Sequence, residues 1–266
     1  MIIKALGTGG AFCNPTKNFQ TNIIIENDLA KKRLLIDAGT TVQPAMLAKG
    51  LTLNDFDALY ITHQHADHIG GVEFIAFMTF FVPQFHKWKL FGNRSLLKDA
   101  WETSLRGGLQ SIQAFDVTLD DYFRVTRVED NQAFTWESMR FEIVQSVHIM
   151  NKYSIVKSYG LMIHDFASDK RIYYPSDTQF NPNQIIDFYR QADIIIQDCE
   201  TCPFDFRSRV HAHYDELKTL PEDIKQKMFL VHYGDNIVDD FDKHQDIAIE
   251  KDLFRGFLAK DGEIRI

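Results

Sequence analysis

Residues 62–68, "THQHADH", set His63, His65, Asp67 and His68 together directly after the apolar run "ALYI". Imidazole nitrogen and carboxylate oxygen both suit zinc and similar divalent ions, with bonds of about 2.0–2.2 Å. In an extended segment, residues two apart point the same way, so His63 and His65 can grip one ion together. Asp67 and His68 follow where the pattern turns helical, which re-aims their side chains toward a second ion beside the first. One short loop thus supplies half of a two-metal site. Candidates for the other half lie far downstream. His148 ends the strand-like "FEIVQSV", Asp177 ends "RIYYPS" and His232 ends "MFLV". Each stands where a sheet hands the chain to a loop, and layered α/β folds build their sites at such strand ends. An aspartate can bridge two ions with its two oxygens, and Asp177 is the candidate for that role. His86, His164 and His244 have no such company and read as ordinary hydrogen-bonded residues.

Paired divalent ions lower the pKa of a shared water and stabilise both the attacking and the leaving oxygen. That suits phosphodiester cleavage, and equally the hydrolysis of thioesters or lactams. Asp67 could also orient or deprotonate the nucleophile. A leaving alkoxide needs a proton, and residues 197–217, "QDCETCPFDFRSRVHAHYDEL", offer His211 and His213 as general acids. Glu200 could keep that histidine cationic and oriented, while Asp215 is expected to cap the helix that follows. Cys199 and Cys202 form a lone C-x-x-C, read as thiols on the loop that positions Glu200 rather than as a redox pair.

The elements that must position these groups are legible as apolar periodicities. "IIKALG", "TNIIIE" and "RLLIDAG" read as consecutive strands, and "TTVQPAMLAKG" as a helix closed by Gly50. "FDALYIT" is a strand ending at Thr62, and "DHIGGVEFIAFMTFF" turns helical despite Gly70 and Gly71. Further strands are expected at "RFEIVQSVHI", "SYGLMIHDF", "RIYYPSD", "ADIIIQDCE" and "KMFLVHYG", with helices at "PNQIIDFYRQA" and "YDELKTLPEDIKQKM". Sheets interleaved with helices indicate an α/β sandwich. The 266 residues are read as one domain, with a helical, aromatic insertion at about 75–125 that could serve as a lid.

The formal charge of −8 argues against broad charge-driven binding to nucleic acid or anionic membrane. "MIIKALGTGG" lacks the cationic and apolar segments of a signal peptide, and no stretch reaches the roughly 18 apolar residues of a membrane span. Three cysteines make no disulfide framework, so a reducing cytoplasm is expected.

H-x-H-x-D-H after a strand, followed by a later His, Asp and His, resembles the metallo-β-lactamase superfamily. "LGTGGAF" and "LLIDAG" look like its early strands, and "PSDT" like its bridging-aspartate segment. The resemblance implies an αββα sandwich with one or two zinc ions, manganese being a possible substitute. Carried over, His63, His65 and His148 hold one ion, Asp67, His68 and His232 the other, and Asp177 bridges. The Glu200 and "HAHYDEL" segment, with "LVHYGD", is similar to the ribonuclease Z-like phosphodiesterase branch, where His213 fits the general-acid position best and His211 second. Residues 177–211 carry no Gly- and basic-rich arm of the tRNA-processing enzymes, and "NPTKNFQTN" lacks their arginine. "DCET…HAHYDEL" with "SDTQF" looks more like the anti-Pycsar phosphodiesterases of phages and bacteria. That resemblance implies hydrolysis of 3′,5′-cyclic mononucleotides such as cCMP, cUMP, cAMP and cGMP. It also implies a homodimer whose partner chain contributes to the pocket. Phe80, Phe81, Phe85 and Trp88 are then candidates for a wall that stacks on the base. The rival readings are a tRNA 3′-endonuclease, a thioester or lactone hydrolase, and a non-catalytic protein that sequesters a nucleotide.

Overall fold

The computed structural model describes residues 1–266. Strands β1 (Ile2–Gly7), β2 (Asn22–Asn27), β3 (Lys32–Ile36), β4 (Ala58–Tyr60) and β5 (Lys89–Asn93) build most of one sheet. A two-stranded ribbon, β6 (Ser111–Ile112) and β7 (Phe115–Asp116), precedes β8 (Arg124–Val128). The second sheet draws on β9 (Ala133–Trp136), β10 (Met139–Met150), β11 (Ile155–Asp165), β12 (Lys170–Tyr174), β13 (Ile194–Asp198), β14 (Met228–Val231) and β15 (Gly256–Phe257). The final strand, β16 (Glu263–Arg265), returns to the first. The sheet orders are β16-β1-β2-β3-β4-β5-β8 and β15-β14-β13-β12-β11-β10-β9. In each sheet the antiparallel pairs β1–β2–β3 and β10–β11–β12 give way to parallel neighbours joined through helices.

Side chains alternate across a strand, and β12 and β13 show how this builds layers. Ile172, Tyr174, Ile194 and Ile196 belong to the larger apolar core, which also contains β1 to β5. Tyr173 and Ile195, one position out of phase, belong instead to a second core with Ile185 and Tyr189 of the helix Pro182–Gln191. A sheet buried on both faces against a sheet and against helices is the αββα sandwich expected from sequence. No helix of the chain is long and apolar enough to cross a membrane.

Several expectations are corrected. "FDALYIT" pairs only over Ala58–Tyr60, leaving Thr62 and His63 in the loop. "YDELKTLPEDIKQKM" is two short helices, Tyr214–Leu217 and Glu222–Lys225, because Pro221 lacks the amide to continue one. The helical pattern from Asp67 breaks into Ala66–Ile69 and Val72–Phe81 at the two glycines. Residues 75–125 are not simply a helical insertion: β5 lies inside them and pairs with β4 and β8. Trp88 is wholly buried, its Nε1 donating to Leu53 O at 3.0 Å, so it packs core and forms no base-stacking wall.

The parallel strands β3, β4, β12, β13 and β14 send their C-terminal ends to one side, where the loops converge. Two glycines make that convergence possible. A Cβ on Gly39 would stand 2.1 Å from the carbonyl oxygen of Asp67, and one on Gly160 2.5 Å from that of Tyr174. Only a residue without a Cβ lets those backbones approach so closely.

Candidate metal centre

Asp37 directly follows β3, His63 and His65 follow β4, and Asp67 and His68 lie in the short helix Ala66–Ile69. Asp177 stands three residues past β12, and His232 directly follows β14. His148 departs from the sequence expectation, because β10 continues past it to Met150. It is instead the extra residue of a β-bulge, between the pairs Val147–Lys157 and Ile149–Val156. A bulge re-aims one side chain without ending the strand. Asp37, Ser176 and His232 all adopt positive φ, at 65°, 59° and 62°. Such backbone costs on the order of 1–3 kcal/mol per non-glycine residue and concentrates where function demands a fixed direction.

These turns bring the side chains together in three overlapping groups. His63, His65 and His148 form the first, Asp67, His68, Asp177 and His232 the second, and His211 joins His148 and Asp177 in a third, each with donor atoms within 4.8 Å of one another. In the first, His65 Nδ1 lies 3.1 Å from His63 Nε2 and 3.1 Å from His148 Nε2. In the second, His68 Nε2 lies 3.2 Å from Asp67 Oδ2 and 3.2 Å from Asp177 Oδ2. His232 Nε2 lies 3.3 and 3.4 Å from the same two oxygens. Asp177 Oδ2 also faces the first group, 3.7 Å from His63 Nε2 and 3.9 Å from His148 Nε2. Asp177 therefore stands between these two groups, in the place expected of a bridging aspartate.

Three observations test whether this set fits divalent ions. Ligands about 2.1 Å from a tetrahedral ion stand about 3.4 Å apart, the range seen here. His68 Nε2 is buried and makes no hydrogen bond despite its two carboxylate neighbours, an orphan that a cation would satisfy. The ring orientations are fixed from behind. His68 Nδ1 donates to Asp37 Oδ2 at 2.7 Å, and His148 Nδ1 donates to Val210 O at 2.9 Å. Each bond leaves Nε2 facing the centre, where an ion would take its lone pair, the usual support for a ligating imidazole. Asp37 in turn accepts from Thr62 N at 2.8 Å and Thr62 Oγ1 at 2.7 Å. The donor set fits two divalent ions.

The electrostatics agree. Burial holds His63 well below the ordinary histidine value, lowers His65 and brings His148 down to about 4, so all three are neutral donors near neutral pH. Burial would raise Asp67 and Asp177, yet the imidazoles of His232 and His68 hold both carboxyls well below their ordinary range. His68 itself is pushed up, against its burial, by Asp177 and Asp37. The two buried carboxylates are thus ionised and compete for whatever positive charge is present.

The structure separates the two general-acid candidates. His211 Nδ1 donates to Asp198 Oδ2 at 3.0 Å and lies 3.8 Å from Asp177 Oδ2. Its ring stacks on His232 at 4.8 Å. Against its burial, Asp198 and Asp177 raise it to about 9, so it is cationic at neutral pH. His213, the sequence favourite, has both ring nitrogens engaged within its own loop and helix. Its Nε2 donates to Cys202 O at 2.8 Å and its Nδ1 accepts from Asp215 N at 3.1 Å, capping Tyr214–Leu217. The expected cap, Asp215, lies inside the helix. Glu200 hydrogen-bonds neither ring, but its charge adds to those that raise His211, as expected from sequence; its carboxylate accepts from Ser208 N at 2.9 and 3.0 Å and from Ser208 Oγ at 3.1 Å, pinning the loop that carries His211. Sequence reasoning missed Asp37 and Asp198. Asp37 directly follows β3 in "LLIDAG" and Asp198 ends β13 in "IIIQDCE", the strand-end signal that had found Asp177.

Fold and site together define a metallo-β-lactamase-type protein. The chain superposes on the metallo-β-lactamase fold protein YhfI of Bacillus subtilis with a TM-score of 0.73 at 20% identity, covering 99% of this chain and 98% of that one. It superposes on the human short-form tRNase Z with a TM-score of 0.68 at 15% identity, covering 100% and 99%. At such identities these likenesses concern the fold. A family model described as Anti-Pycsar protein Apyc1 matches residues 1–258. Proteins called Anti-Pycsar protein Apyc1 are similar along nearly their whole length. That of Bacillus phage BSP38 is 34% identical over 247 residues, covering 91% of this chain and 92% of the relative. That of Paenibacillus harenae is 34% identical over 239 residues, covering 89% and 91%. The chain belongs to the Anti-Pycsar Apyc1 family.

Proposed function

We propose that this protein is a metal-dependent phosphodiesterase that hydrolyses 3′,5′-cyclic mononucleotides to linear nucleoside monophosphates. The reading rests on one observation above all: the Asp198–His211 pair stands 3.8 Å from the carboxylate of Asp177. A thiolate leaving group would have little use for such an acid, whereas a ribose alkoxide needs it. Family membership points to the same substrate class.

His63, His65, His148 and Asp177 would hold one ion, and Asp67, His68, His232 and Asp177 the other, with zinc the expected metal and manganese an alternative. When bound, the pair supplies an activated water and a positive field for phosphate. Two carboxylates neutralise only half the charge of two divalent ions, so the site keeps a net attraction for an anionic diester. Asp67 orients the attacking water and accepts its proton. As the phosphorus–oxygen bond to ribose breaks, His211 Nε2 delivers its proton to the leaving oxygen. Asp198 is a positioning residue, fixing Nδ1 so that Nε2 is the free donor. The protein acts as a homodimer in the cytoplasm of a bacterium or a phage-infected host, where destroying the cyclic nucleotide would blunt Pycsar defence.

The test is a panel of cCMP, cUMP, cAMP and cGMP offered to protein loaded with zinc or manganese, with products identified by mass. Linear monophosphates from wild type and none from Asp67→Ala are expected. A metal-loaded protein that leaves all four intact would overturn the proposal, and stoichiometric binding without product would mark a sequestering protein instead.

A further inference from the structure

Beside the metal centre lies a cavity of about 320 Å³, the size of one small organic ligand, whose lining includes His211 and His232. Its walls include Thr201, Ser208 and Asn236, all able to hydrogen-bond a sugar or a base. One phenyl ring lines it, that of Phe12, and none of the rings at 80–88 does. Phe12 is fully exposed, at 101%.

A phenylalanine with no apolar partner is ordinarily a loose surface residue, but this one sits on a pinned loop. Gly10 N donates to Tyr233 O at 3.1 Å, Cys13 N donates to Gly10 O at 3.1 Å, and Gln20 Nε2 donates to Ala11 O at 3.1 Å. Asn14 N donates to both Asp235 carboxylate oxygens, at 3.1 and 3.0 Å. The loop also lies directly on the metal centre: a Cβ on Gly10 would stand 3.1 Å from His232 O and 3.6 Å from its ring. The chain thus holds an exposed aromatic face two residues from a contact with a candidate ligand, in the lining of the cavity.

We propose that Phe12 is a specificity-determining residue, the platform on which the nucleobase stacks while the phosphate lies at the metal centre. The inference rests on the cyclic-nucleotide reading above and extends it. Every base has a π-face, so such a platform binds without strict base choice, and removing one base–aromatic stack weakens binding by roughly tenfold. Binding of this kind acts on ground and transition state alike, so it appears in KM and not in kcat.

The experiment compares wild type, Phe12→Ala and Phe12→Trp as metal-loaded full-length proteins. It measures kcat and KM for cyclic nucleotides and inhibition by nucleoside 5′-monophosphate and by ribose 5-phosphate. Phe12→Ala should raise KM roughly tenfold with kcat held, and should erase the advantage of the nucleotide inhibitor over the base-free one. Phe12→Trp should restore both. An unchanged KM and inhibitor ratio in Phe12→Ala would overturn the assignment. So would a variant that changes only its sedimentation, which would place the ring at a subunit contact. Wild type inert toward every cyclic nucleotide would remove the underlying reading itself, a result distinct from an indifferent Phe12.

Discussion

Replacing His211 and His213 one at a time separates chemistry from scaffold within three residues. His211→Ala deletes the ring bonded to Asp198 at 3.0 Å and facing Asp177. Loss of a general acid slows a poor leaving group roughly 10²–10⁴-fold. That loss should fall on kcat for cyclic nucleotides and largely spare bis-p-nitrophenyl phosphate, whose nitrophenolate leaves without a proton. His213→Ala instead deletes a helix cap at 3.1 Å and a donor to Cys202 O at 2.8 Å. A cap and a buried hydrogen bond, each about 1 kcal/mol, sum to roughly 2 kcal/mol. At roughly 2–4 °C per kcal/mol for a chain of this size, Tm should fall by about 4–8 °C. Both activities should survive well below that temperature, and His213→Asn, which can also cap, should recover most of the stability. Steady-state kinetics on the two diesters and a thermal melt are sufficient. A His213→Ala protein with unchanged Tm and selective loss of cyclic-nucleotide turnover would refute the reasoning.

Two further consequences concern residues behind the site. Asp37→Ala frees the His68 ring, and loss of such support typically weakens metal binding about 10–100-fold; competition with a chelating dye reads this, and excess metal should restore turnover. Asp198 raises His211, which is held at about 9, so the acid stays protonated through neutral pH and is lost only as pH rises through that value. Asp198→Asn removes the charge that favours the cation, so the alkaline limb of the kcat profile should move to lower pH, and a limb that stays in place would remove the pair from the mechanism.

The half of the site carried by residues 63–68 was legible because its donors are adjacent and follow a strand. Asp177 and His232 were legible because strand ends can be read from where apolar runs stop. The αββα layering followed from the same runs. His148 was found for a partly wrong reason, since a bulge inside a long strand leaves no trace in hydrophobic periodicity. The choice between His211 and His213 lay beyond local pattern. Two histidines two apart in one loop look equivalent, and what separates them is Asp198, thirteen residues before His211, together with the need of a short helix for a cap. The strand β5 was hidden because "KLFGN" is brief and lies between the helices Val72–Phe81 and Arg94–Ala100, so its pairing with β4 is decided by tertiary contact.

The central claim is that seven side chains hold two ions around the carboxylate of Asp177, and metal content with anomalous diffraction tests it most directly. The account predicts two ions per chain after reconstitution, with two anomalous peaks about 3.5–4 Å apart flanking that carboxylate, and reduced occupancy in Asp177→Ala. A reconstituted wild-type protein with no ion among these residues, or with a single ion and no second peak, would contradict it.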